Sequence, residues 1–173
     1  SEKKGSGGKS LFTPVSSGRP YEMLVVIDKA MWERPAGRAL FNALDTDVPG
    51  LPQPERSFRI SNIGPDHFNR GMRIFRNIID VDIQPIYTQP KLKYVRDSYA
   101  SPQMIMTIQA PDEKSFEEFV TKNKRTIIDF FTKAEMNRQI ALLKKKHSDL
   151  ISTKVGSMFG CDVWVPSEME RYK

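Results

Sequence analysis

Between Asp112 and Val155 the chain contains neither glycine nor proline. This run is 44 residues long; eleven of the 12 prolines precede it and the last, Pro166, follows it. Apolar residues recur through it at helical spacing, so the run dictates helix. Asp112 can cap its start, and Ser115 with Glu118 fits a capping box. A first apolar face comprises Phe116, Phe119, Val120, Ile127, Phe130 and Phe131, and a second comprises Met136, Ile140, Leu143, His147, Leu150 and Ile151. Thr121–Thr126 between them is polar, which predicts a break near Asn123 and hence two helices. Pairs such as Glu118 with Lys122 contribute only about 0.2–0.5 kcal/mol. Ordering the backbone costs about 1–2 kcal/mol per residue. Both apolar faces must therefore dock, and the only large partner predicted is a sheet.

The strands of that sheet lie upstream. Met23–Ile27 is a short, partly β-branched run and predicts a strand buried on both faces. Pro35 suits a first helical position, and Leu40, Phe41 and Leu44 follow at helical spacing. Asp45–Arg56, with three prolines, predicts a loop, and Ser57–Ile63 a strand. Phe68, Met72 and Phe75 predict a helix over Pro65–Asn77, although Gly71 costs it about 1 kcal/mol. Ile79–Ile83 alternates, with Asp80 and Asp82 facing away from Ile79, Val81 and Ile83. Lys91–Arg96 predicts a weaker strand and Met104–Ile108 a stronger one. After the helices, Gly156 and Gly160 end the helical region, and Cys161–Val165 predicts a last strand.

This order predicts an α+β fold: a two-layer sandwich with helices packed on a mixed, mainly antiparallel sheet. An α/β doubly wound sheet is the alternative. Residues 1–18, rich in Ser, Gly and Lys, predict a flexible tether, and residues 19–173 a single domain.

Composition excludes several classes. The longest aliphatic run, Met23–Ile27, is too short to cross a bilayer as a helix, which takes about 20 residues. The net charge is +6, partly from Lys3, Lys4 and Lys9, so no nucleic acid is expected as a partner. Lys144-Lys145-Lys146 fans around a helix and reads as a solvated face rather than a focused basic patch. One cysteine, Cys161, rules out an intrachain disulfide, and two histidines rule out a multi-histidine metal site. Gly8-Lys9-Ser10 lacks the earlier glycine and strand of a P-loop, and serine is misplaced in Gly156–Gly160 for a nucleophile elbow. Neither a catalytic residue, a metal site nor a cofactor is predicted.

Two places remain as binding candidates. Trp32, Arg34 and Arg38 lie just beyond the first strand, where open sheets often bind ligands. The other reading of Trp32 is packing of the first helix onto the sheet. Asp80 and Asp82 project from one strand face about 7 Å apart. Paired carboxylates can bind a metal or share a proton, or they can simply solvate the strand.

Arg19–Glu22, Trp32–Phe41, Phe75–Ile79, Ser101–Gln103 and Ala134–Arg138 carry a resemblance. Through them the chain resembles a Bacteroidota (Bacteroidales) family of predicted envelope lipoproteins, a domain of unknown function. The resemblance implies a lipidated cysteine upstream of Ser1, membrane attachment through residues 1–18, and a location at the bacterial cell envelope. It also implies a longer family chain, with residues 19–173 as its amino-terminal part. It supplies no activity and no catalytic residues. The function expected is non-catalytic binding or assembly with an envelope protein or ligand. An envelope hydrolase with a site near Asp80 and Asp82, or at Trp32–Arg38, is the alternative.

Overall fold

The computed structural model describes residues 13–45 and 58–159, with side chains described as far as Ser152. The chain divides into two units, Ser1–Glu135 and Met136–Lys173.

The first unit is built on a five-stranded sheet in the order β2-β1-β3-β5-β4. Its strands are β1 (Glu22–Val26), β2 (Arg59–Ile63), β3 (Asn77–Ile83), β4 (Lys91–Arg96) and β5 (Met104–Ala110). The α+β class and the mixed sheet agree with expectation. The dominant strand direction does not: β2, β1, β3 and β5 run parallel, and only β4 is antiparallel to its neighbour. The reason lies in the connections. Helical segments cross over between β1, β2 and β3, returning each strand in the same direction, as parallel pairing requires. Short connections, residues 84–90 and 97–103, lead into and out of β4, so β4 reverses direction and β5 returns parallel to β3.

Two helices follow β1: α1 (Lys29–Glu33), capped by the Asp28 carboxylate on Ala30 N and Met31 N, and α2 (Pro35–Leu44). They pack on one sheet face with α4 (Glu113–Lys122) and the start of α5 (Lys124–Phe159). Met23, Val25, Ile27 and Ile79 from the sheet meet Trp32, Leu40, Leu44, Phe116, Val120, Ile127 and Phe131 in this core. The opposite face has a thinner cover. There Leu24, Val26 and Ile78 meet Ile63, Phe68, Met72 and Phe75.

The predicted helix over Pro65–Asn77 is reduced to a 3-10 turn, Pro65–His67, and a four-residue helix, α3 (Arg70–Arg73). Asn69 interrupts it, because its side chain caps Gly71 N and Met72 N and so begins a new helix. Order also begins within the predicted tether. Ser17 N donates to Ile74 O at 2.9 Å and Arg76 N to Ser17 O at 3.0 Å, so part of the predicted tether is paired with the domain. Residues 1–12, most of the proline-rich loop and the Cys161–Val165 strand lie outside the described residues.

The break near Asn123 is present. Asn123 caps α4, with Nδ2 donating to Phe119 O at 2.8 Å, and α5 begins at Lys124. Helix α5 then continues past Gly156 to Phe159, so Gly156 does not end it.

In the second unit the later apolar face is largely exposed, with His147 and Ile151 half-buried. Met136, Ile140, Leu143 and Leu150 are 42%, 47%, 67% and 70% exposed. Spacing explains the difference. From Phe131 to Ile140 is about two and a half turns of an ideal helix, so the two apolar rows are out of phase and cannot form one continuous stripe.

Candidate functional site

Because four strands are parallel, their carboxyl ends share one edge of the sheet. The connection from β1 leads to β2 on one side, while the chain leaving β3 goes to β4 and β5 on the other. Adjacent strands that part in this way form a topological switch point, the usual ligand crevice of open parallel sheets. Here β1 delivers Asp28, β3 delivers Asp82 and Gln84, and β5 delivers Asp112 and Glu113.

Asp80 and Asp82 occupy the thinly covered face, since the alternating Ile79, Val81 and Ile83 belong to the helix-covered core. Asp82 is held in place. Its Oδ1 accepts from Gln84 Nε2 at 2.7 Å and its Oδ2 accepts from the Tyr87 hydroxyl. Gln109 Nε2 in turn donates to Tyr87 Oη at 3.3 Å. The bond to Asp82 raises the pKa of the Tyr87 phenol, because it favours the protonated form. Asp80 differs. It is half-buried, and among the described residues no group donates to its carboxylate. Burial and then the Asp82 charge raise its pKa. In register with these aspartates, Lys91 faces Gln109 and Lys93 faces Thr107 on the exposed edge strand.

The Trp32–Arg38 segment forms the elbow between α1 and α2 on the helix-covered face. Trp32 is buried in the core, so packing is its structural role. Arg38 Nε donates to Trp32 O at 3.0 Å, and its guanidinium lies 4.7 Å from the Trp32 ring and 4.9 Å from the Phe41 ring. These contacts close the end of α1 and stack the cation on aromatic faces. Arg34 is more exposed and pairs with Glu113 at 2.8 Å, linking the start of α2 to the start of α4. The structure thus separates the candidates. Asp80 and Asp82 lie on one sheet face, Trp32 and Arg38 on the other, and no ion pair joins the two groups among the described residues.

Beside the elbow, Arg38, Asn42, Glu117, Thr121 and Lys124 line an open groove of about 450 Å³ between α2 and α4. Pro35, Ala39 and Ala43 complete its lining, so its surface mixes apolar and polar groups. Among the described residues no group of three or more His, Cys, Asp and Glu side chains is placed to hold a metal.

Three participants around Asp82 escaped sequence reasoning: Gln84, Tyr87 and Gln109. Tyr87 sits in a turn whose shape the flanking prolines imply only loosely, and Gln109 reaches it through strand register. Glu113 lies in the first turn of α4, and its pairing with Arg34 spans 79 residues.

A family model described as a domain of unknown function, DUF8532, matches residues 16–144. The chain belongs to that family. Membership in DUF8532 covers the whole described sheet, both faces of its core and the first part of α5. No curated protein and no solved structure matches the chain significantly. The DUF8532 assignment therefore identifies the domain without attaching a reaction to any of the residues above.

Proposed function

We propose that the chain is a non-catalytic binding or assembly module, held at a bacterial cell envelope by a lipid anchor ahead of Ser1. The observation that carries the binding role is the row Met136, Ile140, Leu143 and Leu150, in which every side chain is at least 42% exposed. Aliphatic side chains aligned and wet on one helix mark an interaction surface. Asp82 and the Arg34–Glu113 pair engage structural partners. The anchor and the envelope location rest on the residues that carry the lipoprotein resemblance, Arg19–Glu22 and Trp32–Phe41 foremost.

Photo-crosslinking in cells tests the binding role. A crosslinker placed at Ile140 or Leu143 should yield discrete adducts, and one at exposed Lys91 should not. Equal labelling at all three positions, or none, removes this reading. Fractionation of the full-length protein tests the location: it should enter the detergent phase carrying acyl chains. Recovery from cytosol without lipid overturns the anchor.

A hydrolase is the second reading, favoured by one observation: Asp80 is a half-buried carboxyl with a raised pKa and no donor among the described residues. Such a group can act as a general acid or base. If Asp80→Ala and Asp82→Ala leave every activity found in a hydrolytic screen unchanged, that reading fails.

A further inference from the structure

We infer that the second unit's helical segment binds the surface of an anionic phospholipid bilayer, laying the row Met136, Ile140, Leu143 and Leu150 into the interface. The inference deepens the proposed binding role and rests on it. On an ideal helix these four side chains fall within an arc of about 80°. Lys144 and Lys146 stand about 80° to either side of its centre, and Lys145 lies farther round. All three lysines are exposed, and Asp149 is the one acidic side chain from Met136 to Ser152. Both margins of the apolar row therefore carry the same positive sign. A helix lying flat on a negative surface needs this pattern: aliphatic groups sink below the headgroups while lysine stems run up along them to the phosphates. A nucleic acid would satisfy the lysines and leave the aliphatic row in water. A second copy of the chain would oppose lysine to lysine along the margins. The exposed Leu142 lies outside the row and takes no part.

Vesicle co-sedimentation of the non-lipidated chain tests the inference, using phosphatidylcholine alone against phosphatidylcholine with 40% phosphatidylglycerol. The protein should partition onto the anionic vesicles at least tenfold more strongly, and added salt should weaken the binding. Replacing Lys144, Lys145 and Lys146 by Gln should reduce partitioning on the order of 100-fold, since each lysine near such a surface contributes about 1 kcal/mol. Leu143→Ser should reduce it on the order of tenfold. Both variants change exposed residues and should keep the wild-type melting temperature. Equal binding to neutral and anionic vesicles, or no binding to either, overturns the inference. So does loss with the lysine variant but not with Leu143→Ser, which would mark a simple polyanion site. If vesicles fail while Ile140 still crosslinks to a protein in cells, the lipid assignment falls and the binding role stands.

Discussion

Glu135 places a fully buried carboxylate against Arg76: Oε1 lies 2.9 Å from Nε, and Oε2 accepts from Nη2 at 3.0 Å. Asn77, also buried, donates to the same carboxylate at 2.7 Å and to Glu22 O at 2.8 Å. One acid from α5 thus neutralises the cation at the entrance of the central strand and ties it to β1.

Removing either partner should leave an uncompensated buried charge. Arg76→Met and Glu135→Leu should each lower the unfolding free energy by about 3–5 kcal/mol in urea titrations. The double variant should lose much less than the sum, because it leaves no orphaned charge. Additive losses would mean that the two side chains act independently.

At Gly37 a Cβ would lie within 2.5 Å of Met31 O and Trp32 Cα and against the Trp32 carbonyl oxygen. These are backbone atoms of the preceding helix and cannot swing aside. Gly37→Ala should therefore cost about 1–3 kcal/mol, read as a lower melting temperature. It should also shift Trp32 fluorescence, since α1 and α2 must part to admit the methyl group.

Asp80 makes stability depend on pH in an unusual direction. Burial, then the Asp82 charge, raises its folded pKa, so the folded chain holds this proton more tightly than the unfolded chain does. Its ionisation lowers stability as pH rises from the ordinary carboxylate range through the raised value. Asp80→Asn should thus be more stable than wild type at pH 7, and the gain should shrink as pH falls through the raised value and be gone below about 4. Urea midpoints at several pH values decide this. A destabilised Asn variant at pH 7 would show instead that the carboxylate is needed.

Asp112 should behave oppositely. Its hydrogen bond from Ser115 N, 2.7 Å long, lowers the carboxyl pKa. That contribution is present above the unfolded pKa and is lost as pH falls through the folded one. Asp112→Ala should unfold at lower urea than wild type at pH 7, with the gap closing in acid. A gap independent of pH would assign the effect to something other than the charged cap.

Elements with local signals were legible in the sequence. The apolar run Met23–Ile27, Pro35 before its helix and the polar stretch around Asn123 each carry their own cue, and β1, α2 and the α4–α5 break follow them. Strand direction carries no such cue. The Ile79–Asp82 alternation reads as antiparallel because half-solvated sheets usually are, yet here one face of a mainly parallel sheet is thinly covered. Asn69 was read as a helix interior residue and turned out to be a cap, since a side chain that can bond the backbone ahead competes with the helix it sits in. At the candidate site the two aspartates were legible as a pair, but their inequality was not. It comes from Tyr87 and Gln84 reaching Asp82 alone, a matter of turn shape. The residues carrying the lipoprotein resemblance include Trp32, Arg38, Arg76, Asn77, Gln103 and Glu135, which hold the elbow, the loops and the buried ion pair together. Those segments report on the scaffold.

The Glu135 carboxylate also sets the order of events during synthesis. Arg76 and Asn77 leave the ribosome nearly 60 residues ahead of it. The five strands among the described residues are complete by Ala110, yet the guanidinium at the entrance of β3 still lacks its counter-charge. A chain released at Asn123, the natural seam between two helices, would contain the five described strands but lack the Glu135 carboxylate. The Arg76 guanidinium gains its counter-charge only when the first three turns of α5 have been made.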